Sequence, residues 1–184
     1  MRAIEAARVT LEPQTAEHAP EMFVVLSDPA IYAYENSPPP SVQWLRTRFE
    51  KLETRRSADG TELWLNWVVR LRSSQLIGYV QATVCPNGKA AIAYEFSSAY
   101  WGRGLAREAA EALIGELAGY YDVTHLTAVA KSANQRSRRL LERLGFAPAS
   151  PEVLAHCRLE PGEILVCRQL SSMPGGLSHS SEHG

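Results

Sequence analysis

Apolar and polar residues alternate in two stretches of the chain, as they do in half-buried β-strands. Val9 and Leu11 alternate in the first stretch, and the second carries five large apolar side chains at every second position. Two further strands follow, because Asn87-Gly88 between them tolerates the positive φ of a tight hairpin turn. The pattern therefore predicts strands over residues 8–13, 62–72, 75–85 and 91–96.

In four other stretches apolar residues recur every three or four positions, which is the spacing of a helix that buries one face. Thr15, Ser41 and Asn134 precede three of these stretches and can cap a helix with a side-chain oxygen. Gly145 follows the last one as a C-terminal cap. The predicted helices carry Met22, Phe23 and Leu26, then Leu45, Phe49 and Leu52, then Leu105, Ala109, Leu113, Ile114, Leu117 and Tyr121, and finally Leu140, Leu141 and Leu144.

Short apolar runs complete the pattern in the second half of the chain. Residues 125–130 and 164–170 predict two more strands, and we expect residues 153–158 to pair with the last one. Residues 171–184 are rich in Ser, Gly and His, a composition that predicts a disordered tail. A chain of 184 residues has the size of one domain, so we predict a single domain over 1–170 and a tail over 171–184.

Composition narrows the class of protein. With 45% hydrophobic and 21% charged residues, the chain is typical of a globular domain. Its net charge of −1 argues against a nucleic-acid binder, which would carry a basic excess. Cys85, Cys157 and Cys167 match neither a disulfide framework nor a zinc site, and no apolar run approaches the length of a membrane span. We therefore expect a soluble cytoplasmic protein without metal, nucleic-acid or membrane partners.

The most informative motif is the glycine turn Trp101-Gly102-Arg103-Gly104-Leu105-Ala106-Arg107, between a predicted strand and a predicted helix. Its two glycines leave backbone N–H groups uncovered at a helix N-terminus. Uncovered donors and the helix dipole both favour an anion, and the two arginines add positive charge. The turn is therefore predicted to bind a pyrophosphate. The alternative is an ordinary left-handed turn that brings strand and helix close together.

Three motifs in this order of elements resemble the GNAT superfamily of N-acetyltransferases, and within it the branch of the ribosomal-protein N-terminal alanine acetyltransferases. They are residues 99–109 around the glycine turn, Asn134-Gln135-Arg136-Ser137 followed by Leu141-Glu142-Arg143-Leu144-Gly145-Phe146, and Arg8-Val9-Thr10-Leu11-Glu12-Pro13 with Ser27-Asp28-Pro29. The resemblance covers roughly residues 7–170. It implies an α/β fold of the α+β kind, a mixed and mostly antiparallel sheet with helices on both faces and a splayed pair of strands that holds acetyl-CoA.

The resemblance implies acetyl-CoA as cofactor and assigns its contacts. The pyrophosphate would lie on the backbone of Trp101, Gly102, Arg103, Gly104, Leu105, Ala106 and Arg107. Backbone groups of Phe96, Ser97 and Ser98 would pair with the pantetheine arm. Asn134, Ser137 and Arg139 would reach the cofactor from the next helix. Alternatively, Asn134 is a plain helix cap, and Arg138 and Arg139 are solvated.

Transfer of an acetyl group to an amine requires a base, because amines with a pKa of about 8 to 10 are protonated at neutral pH. Glu95 is the first candidate, since it lies on the strand that ends at the donor site; its alternative role is a structural ion pair with an arginine. Glu35, before the proline loop at residues 36–40, is the second candidate, and its alternative is a solvated loop carboxylate. His156 is the third.

The leaving thiolate also needs a proton donor. Many members of the family place a tyrosine seven residues after the asparagine that begins the second motif. Here that position, counted from Asn134, holds Leu141. The sequence therefore predicts that Ser137 or a water serves as the acid.

Aromatic residues could shape the pocket for the amine, although most of them are expected to pack in the core. Trp64 and Tyr79 are the better pocket candidates, together with Glu35, while Trp67 lies on the wholly apolar face of its strand and is expected in the core. Tyr32 and Tyr34 are further candidates.

Two functions from different classes are consistent with these residues. The first is an acetyl-CoA-dependent N-acetyltransferase that acts by direct attack in a ternary complex, on a protein N-terminus or a small amine. The second is a non-catalytic acyl-CoA-binding module, which the leucine at position 141 keeps open. A dinucleotide-binding domain is disfavoured, because the glycine spacing lacks the full fingerprint. Homodimers are common in this branch, so the resemblance also implies a homodimer.

Overall fold

The computed structural model describes residues 1–34 and 36–170. Within them an eight-stranded sheet forms the centre of the fold, in the spatial order β1-β2-β3-β4-β5-β6-β8-β7. Neighbouring strands are antiparallel except for β5 and β6, which are parallel. The strands are β1 (Ile4–Glu5), β2 (Val9–Pro13), β3 (Leu63–Leu71), β4 (Leu76–Val84), β5 (Lys89–Phe96), β6 (His125–Lys131), β7 (Ala147–Pro148) and β8 (Glu163–Gln169).

Side-chain caps fix the starts of two helices where the sequence predicts them. Ser41 Oγ accepts the N–H of Trp44 at 3.1 Å, and Asn134 Oδ1 accepts the N–H of Ser137 at 3.1 Å. After Thr15 a short 3-10 turn intervenes, so the first helix begins later than its cap suggests. The helices are α1 (Ala19–Leu26), α2 (Val42–Leu52), α3 (Leu105–Tyr120), α4 (Gln135–Arg143) and α5 (Pro151–Ala155).

Two apolar clusters cover opposite faces of the sheet. On one face α3 packs Leu113 and Leu117 against Trp67, which is fully buried, as the sequence predicted. On the other face α1 and α2 pack Met22 and Phe49 against Val68. Burying one large apolar side chain is worth about 1.5–3 kcal/mol, so these layers hold the sheet between the helices.

Strands β5 and β6 stay paired over only three residues each, 89–91 with 125–127. The pairing begins at the hairpin turn, where the carbonyl of Gly88 accepts the N–H of Thr124 at 2.8 Å. Farther along, β5 follows β4 as far as Phe96, while β6 follows β8 as far as Lys131. The two halves of the sheet therefore part in a V-shaped gap beyond Ala91.

The prediction of a strand over residues 153–158 is wrong, because α5 (Pro151–Ala155) takes up the first part of this segment. Ser150 caps that helix, with its Oγ accepting the N–H of Val153 at 3.4 Å. Pro151 stands at the first helical position, where a missing N–H costs nothing. The strand that pairs with β8 here is β7, which the apolar pattern did not predict.

Gly78 is expected to be essential for the junction of β4 and β5. It pairs with Phe96, and a Cβ at this position would collide with the carbonyl oxygen of Glu95 and lie 2.8 Å from the Phe96 ring. Because a strand backbone yields little, Gly78→Ala should lower the free energy of unfolding by about 2–3 kcal/mol.

Gly115→Ala is the matched control, since it lies exposed in α3 with no other atom near its would-be Cβ. An alanine there should raise the free energy of unfolding by about 1 kcal/mol. Urea unfolding of the parent and both variants measures the difference, and similar midpoints for the two variants would contradict the packing argument.

Candidate functional site

A cavity of about 1010 Å³ opens where β5 and β6 part. On one side it is bounded by the glycine turn and by α4, and on the other by α2 and the segment between α1 and α2. Because Tyr94 and Glu95 both line it, the cavity reaches both faces of β5. Two ligands that enter from opposite faces can therefore meet at this strand.

The glycine turn presents a helix N-terminus to the cavity. Gly102 and Gly104 both have a φ of +76°, a conformation that other residues adopt only with strain. Gly104 directly precedes α3 and has no side chain that could cap it, so within the described part of the chain the first N–H groups of this helix are available to an anion. Of the predicted cofactor residues in the turn, the cavity lining includes Trp101, Gly102, Gly104, Leu105, Ala106 and Arg107.

Arg103 has a different position from the rest of the turn. It is not among the residues that line the cavity, and its guanidinium lies 5.4 Å from the centre of the Tyr100 ring. Its backbone carbonyl accepts a hydrogen bond from Arg8 at 2.9 Å, and Arg8 also pairs with Glu108 of α3 at 2.7 Å. Arg8 therefore braces the turn against the first turn of α3.

Trp101 connects the three elements around the gap. Its indole N–H donates to the carbonyl of Phe96 at 2.8 Å, which ties the glycine turn to the end of β5. On its other side, the guanidinium of Arg136 in α4 lies 3.3 Å from the centre of the Trp101 ring. Arg136 was not expected at the site, because a contact between a helix and a distant turn has no signature in the local sequence pattern.

The backbone groups expected to pair with a pantetheine arm are largely engaged within the protein. Phe96 lines the cavity, but its carbonyl accepts from Trp101. The N–H of Ser97 donates to Ile77 at 2.9 Å, and that of Ser98 donates to Asp28 at 2.6 Å. Ser97 and Ser98 are not among the cavity-lining residues, so this part of the expected donor site lies next to the cavity rather than on its wall.

Helix α4 brings Ser137 to the cavity, with its cap residue Asn134 beside it. Asn134 acts as a helix cap, which was the alternative to a cofactor contact, and the residue also lines the cavity. The Oγ of Ser137 lies 3.1 Å from the hydroxyl of Tyr94 on β5. Arg139 lines the cavity, whereas Arg138 turns away and donates to the carbonyl of Ser132 at 3.3 Å.

Glu95 and Tyr79 form the floor of the other half of the cavity. They lie opposite each other on β5 and β4, and the Tyr79 hydroxyl forms a hydrogen bond with the Glu95 carboxylate. Burial, and then the charge of Glu95, raise the pKa of Tyr79 above its ordinary value. Burial and the charges of Glu95 and Asp28 raise the pKa of Tyr32, across the cavity, to about 12. Both phenols are therefore protonated: Tyr79 donates to Glu95, and Tyr32 donates to the carbonyl of Leu26 at 2.8 Å.

A second row on the same floor consists of amide side chains. Asn66 and Gln81 are paired across β3 and β4, two residues from the Tyr79 row, and Gln14 binds the Asn66 carbonyl through its own N–H at 2.9 Å. Gln14 is only 2% exposed and Asn66 5%. The Nε2 of Gln14 is buried with no hydrogen-bond partner in the described chain. A ligand with a polar group here would satisfy that donor.

Three residues expected near the amine pocket lie elsewhere or outside the described residues. Trp64 is on the same face as Asn66 but is absent from the cavity lining, and its indole N–H donates to Glu62 at 3.1 Å. His156 follows α5 and is also absent from the lining. Glu35 is outside the described residues, as is the predicted tail over 171–184.

Asp28 fixes the wall of the cavity between α1 and α2. Its carboxylate accepts the N–H of Ala30 at 3.0 Å, which starts a 3-10 turn, and the N–H of Ser98 at 2.6 Å. Burial alone would raise the pKa of Asp28, but hydrogen bonds from Ser98, Ala30 and Ser97 outweigh it and leave the pKa below its ordinary value. The carboxylate therefore joins this wall to the end of β5.

Comparison with known proteins supports the family suggested by the motifs. A family model described as an acetyltransferase (GNAT) domain matches residues 8–147. A comparison with curated proteins found no match. Across the described residues, no helix is long and apolar enough to cross a membrane.

Solved structures share the whole fold at low sequence identity. A ribosomal L7/L12 α-N-protein acetyltransferase in complex with coenzyme A has a TM-score of 0.75 at 14% identity, over 93% of this chain and 99% of its own. An acetyltransferase of the GNAT family from Bacillus anthracis gives 0.71 at 17%, over 91% and 98%. A ribosomal-protein-S5-alanine acetyltransferase from Vibrio fischeri gives 0.72 at 18%, over 94% and 99%. The predicted mixed, mostly antiparallel α/β fold is confirmed.

Removing the Asp28 carboxylate should loosen this wall in a pH-dependent way. Asp28→Ala is expected to lower the free energy of unfolding by about 1–2 kcal/mol at pH 7, because it removes a cap and the bond to Ser98. Since the folded-state pKa is depressed, the contribution is complete above the unfolded value of about 3.9 and is lost as pH falls below it.

Urea unfolding at several pH values between pH 7 and about pH 2.5 measures the difference in free energy of unfolding between the parent and Asp28→Ala. The gap between the two proteins should narrow as the pH falls below about 4. A gap of constant size across that range would mean that the ionised carboxylate does not stabilise the wall.

Proposed function

The chain belongs to the GNAT acetyltransferase family, and from this premise we propose that it is an acetyl-CoA-dependent N-acetyltransferase. The acceptor is a primary amine, either a protein N-terminus or a small molecule, and it attacks the thioester directly in a ternary complex. One observation carries the proposal: the uncapped start of α3 and the Glu95 carboxylate open on a single cavity, on opposite sides of the parted strands.

The donor side fits acetyl-CoA. A pyrophosphate would bind the N–H groups at the start of α3, which Gly102 and Gly104 leave uncovered. Apart from its two chain neighbours, no described residue has an atom within 4 Å of the would-be Cβ of Gly102, so the turn leaves room for an anion to approach the backbone. Arg107 and Arg139 line the same half of the cavity and supply positive charge. When bound, the cofactor would supply the activated acetyl group.

The acceptor side fits an amine with polar neighbours. Glu95 would take a proton from the ammonium group, directly or through a water, so that the neutral amine can attack. Tyr79 holds the carboxylate in place by a hydrogen bond. The amide row of Gln14, Asn66 and Gln81 would bind a polar group attached to the amine, such as a peptide bond.

The acceptor class is open between two kinds of amine. Two of the structural neighbours are named as ribosomal-protein acetyltransferases, which favours a protein N-terminus. A panel of a peptide with a free α-amino group, a polyamine and an amino acid separates the kinds. If acetyl-CoA binds and no amine is ever acetylated, the non-catalytic acyl-CoA-binding module is the better description. A homodimer remains part of the proposal, and sedimentation would test it.

Gly104→Ala tests the donor side. An alanine at a φ of +76° is strained by about 1–2 kcal/mol, and its Cβ would stand at the start of α3. We expect the variant to bind acetyl-CoA at least about tenfold more weakly in titration calorimetry, because the added methyl group would crowd the N–H groups that bind the pyrophosphate, and a loss of about 1.4 kcal/mol in binding is tenfold.

Gly60→Ala is the matched control, because Gly60 has a φ of +74° and is not among the cavity-lining residues. Gly60→Ala should lower the free energy of unfolding about as much as Gly104→Ala does, and it should keep its affinity for acetyl-CoA. NADH, the control ligand, should bind neither the parent nor the two variants. Parent protein that does not bind acetyl-CoA at millimolar concentration would overturn the donor assignment.

Glu95→Gln tests the base. At pH 7 the variant should acetylate an alkylamine about 10²–10³-fold more slowly while binding acetyl-CoA as the parent does. The deficit should shrink as the pH approaches about 10, because the amine then loses its proton without help.

Glu50→Gln is the control for Glu95→Gln, since Glu50 lies exposed on α2 outside the cavity lining. Steady-state rates of both variants across the pH range provide the measurement. If the two variants have the same rate at pH 7, Glu95 is not the base.

A further inference from the structure

We propose that the hydroxyl of Tyr94, held by Ser137, donates a hydrogen bond to the departing thiolate and so takes the place of the tyrosine that is missing at position 141. This inference rests on the proposed acetyltransferase function. It assigns a role to a residue that no motif in the sequence singles out.

The position of Tyr94 on β5 is the first argument. It lies three residues beyond Ala91, where β5 and β6 have parted, and it lines the cavity. Successive side chains of a strand point to opposite faces. Glu95 therefore faces Tyr79 and the acceptor side, while Tyr94 packs against the apolar cluster beneath α3 and α4. The two neighbours stand on either side of the strand at which donor and acceptor would meet.

The hydrogen bond to α4 is the second argument. The Tyr94 hydroxyl donates to the Ser137 carbonyl oxygen at 3.4 Å and lies 3.1 Å from Ser137 Oγ, whose proton can be donated to Tyr94. A thiolate beside Tyr94 would replace the carbonyl as acceptor of the phenolic proton, while Ser137 Oγ keeps hold of the phenol. Ser137 is itself fixed by Asn134, which caps α4. The bond therefore spans the gap between β5 and α4, with both partners on the cavity wall.

Leu141 rules out the position where the family resemblance expects a tyrosine. Its side chain is 3% exposed and belongs to the apolar cluster beneath α3 and α4. A leucine has no proton to donate. Tyr94 is thus the phenol that the structure brings to the wall of the cavity beside Ser137.

The acidity of the phenol decides how it acts. Burial raises the pKa of Tyr94 to about 12, with the bond to Ser137 opposing the rise. A thiol has a pKa of about 8.5, so full transfer of the phenolic proton to a thiolate is uphill by more than three powers of ten. Tyr94 therefore keeps its proton and stabilises the leaving group as a hydrogen-bond donor.

The atoms balance without a further reactant. Glu95 removes one proton from the ammonium, the nitrogen bonds to the thioester carbon, and the carbon–sulphur bond breaks with its electron pair on sulphur. The nitrogen then loses its second proton to water, or to Glu95 after Glu95 has passed the first proton to solvent, which leaves a neutral amide. The thiolate departs bonded to the Tyr94 hydroxyl and takes a proton from solvent afterwards.

The first test measures the pKa of the thiol of bound coenzyme A, using the ultraviolet absorbance of the thiolate as the readout. A donor at the sulphur favours the charged form, so this pKa should lie below about 8.5 on the parent protein. Tyr94→Phe should raise it by about 1, and Tyr120→Phe, an exposed tyrosine outside the cavity, should leave it unchanged.

The second test is turnover with acetyl-CoA and the best amine of the panel. Tyr94→Phe should lower kcat by about 10²-fold and leave the KM for acetyl-CoA nearly unchanged, as expected for a donor that acts on charge developing in the transition state. Ser137→Ala should show a smaller fall, and adding it to Tyr94→Phe should cost little more, since both act through one hydroxyl.

The outcomes separate this inference from the proposed function. Coenzyme A that binds with the same thiol pKa in parent and Tyr94→Phe overturns the role of Tyr94 alone. A loss of rate in Ser137→Ala but not in Tyr94→Phe would make Ser137 the donor instead. Failure of the parent to bind coenzyme A overturns the proposed function. Thermal melting checks that each variant is folded. If Tyr94→Phe is unstable, the fall in kcat expected for Ser137→Ala still tests the role of the Tyr94 hydroxyl.

Discussion

Everything at this site depends on how soon β5 and β6 stop pairing. Three residues of parallel pairing hold the two halves of the sheet together, and beyond them each strand follows its other neighbour. A gap in the middle of a sheet is costly, because it leaves backbone groups without their ladder partners. Two side-chain bonds offset part of that cost: Trp101 donates to the carbonyl of Phe96 at the end of β5, and Ser137 of α4 bonds to Tyr94 across the gap.

The same gap explains why the two halves of the cavity differ. Toward α3 and α4 it has a helix N-terminus and arginines, which suit a phosphate-bearing ligand. Toward α1 and α2 the described residues supply one carboxylate, protonated phenols and buried amides, which suit an ammonium group carrying polar atoms. Only strand β5 separates the two halves, so a ligand in each half would contact the same strand. Groups on β5 itself, Tyr94 and Glu95, then lie beside both ligands.

Much of the fold was predictable because its signals are local. Apolar stripes and caps gave α2 and α4, alternation gave β2 and β3, and the Asn87-Gly88 turn gave the hairpin. The segment after Ser150 was predicted wrongly, because its apolar residues resemble a short strand while its cap and proline favour a helix. β1 and β7 are two residues long, too short for any periodic pattern.

The candidate site was predictable only where it is built from consecutive residues. The glycine turn is one such stretch, and most of its residues line the cavity. Gln14 and Gln81 are far apart in the sequence, and each lies next to Asn66 because of a backbone bond or a strand register that the sequence does not state. Trp64 lies on the expected face of β3, but its pair with Thr83 is two residues beyond the pair of Asn66 and Gln81, where the cavity lining ends. The roles of Glu95 and Ser137 remain predictions.

The side-by-side placement of Tyr94 and Glu95 also bears on how this protein can change over generations. Strand periodicity sends one inward and the other outward, and the same periodicity keeps Phe96 and Ile92 in the core. Deleting or inserting one residue in β5 would exchange the two polar groups and expose the core in a single step. The register of β5 therefore sets both the faces on which the two polar groups lie and the burial of the core. Evolution can change this strand by substitution but not by insertion or deletion.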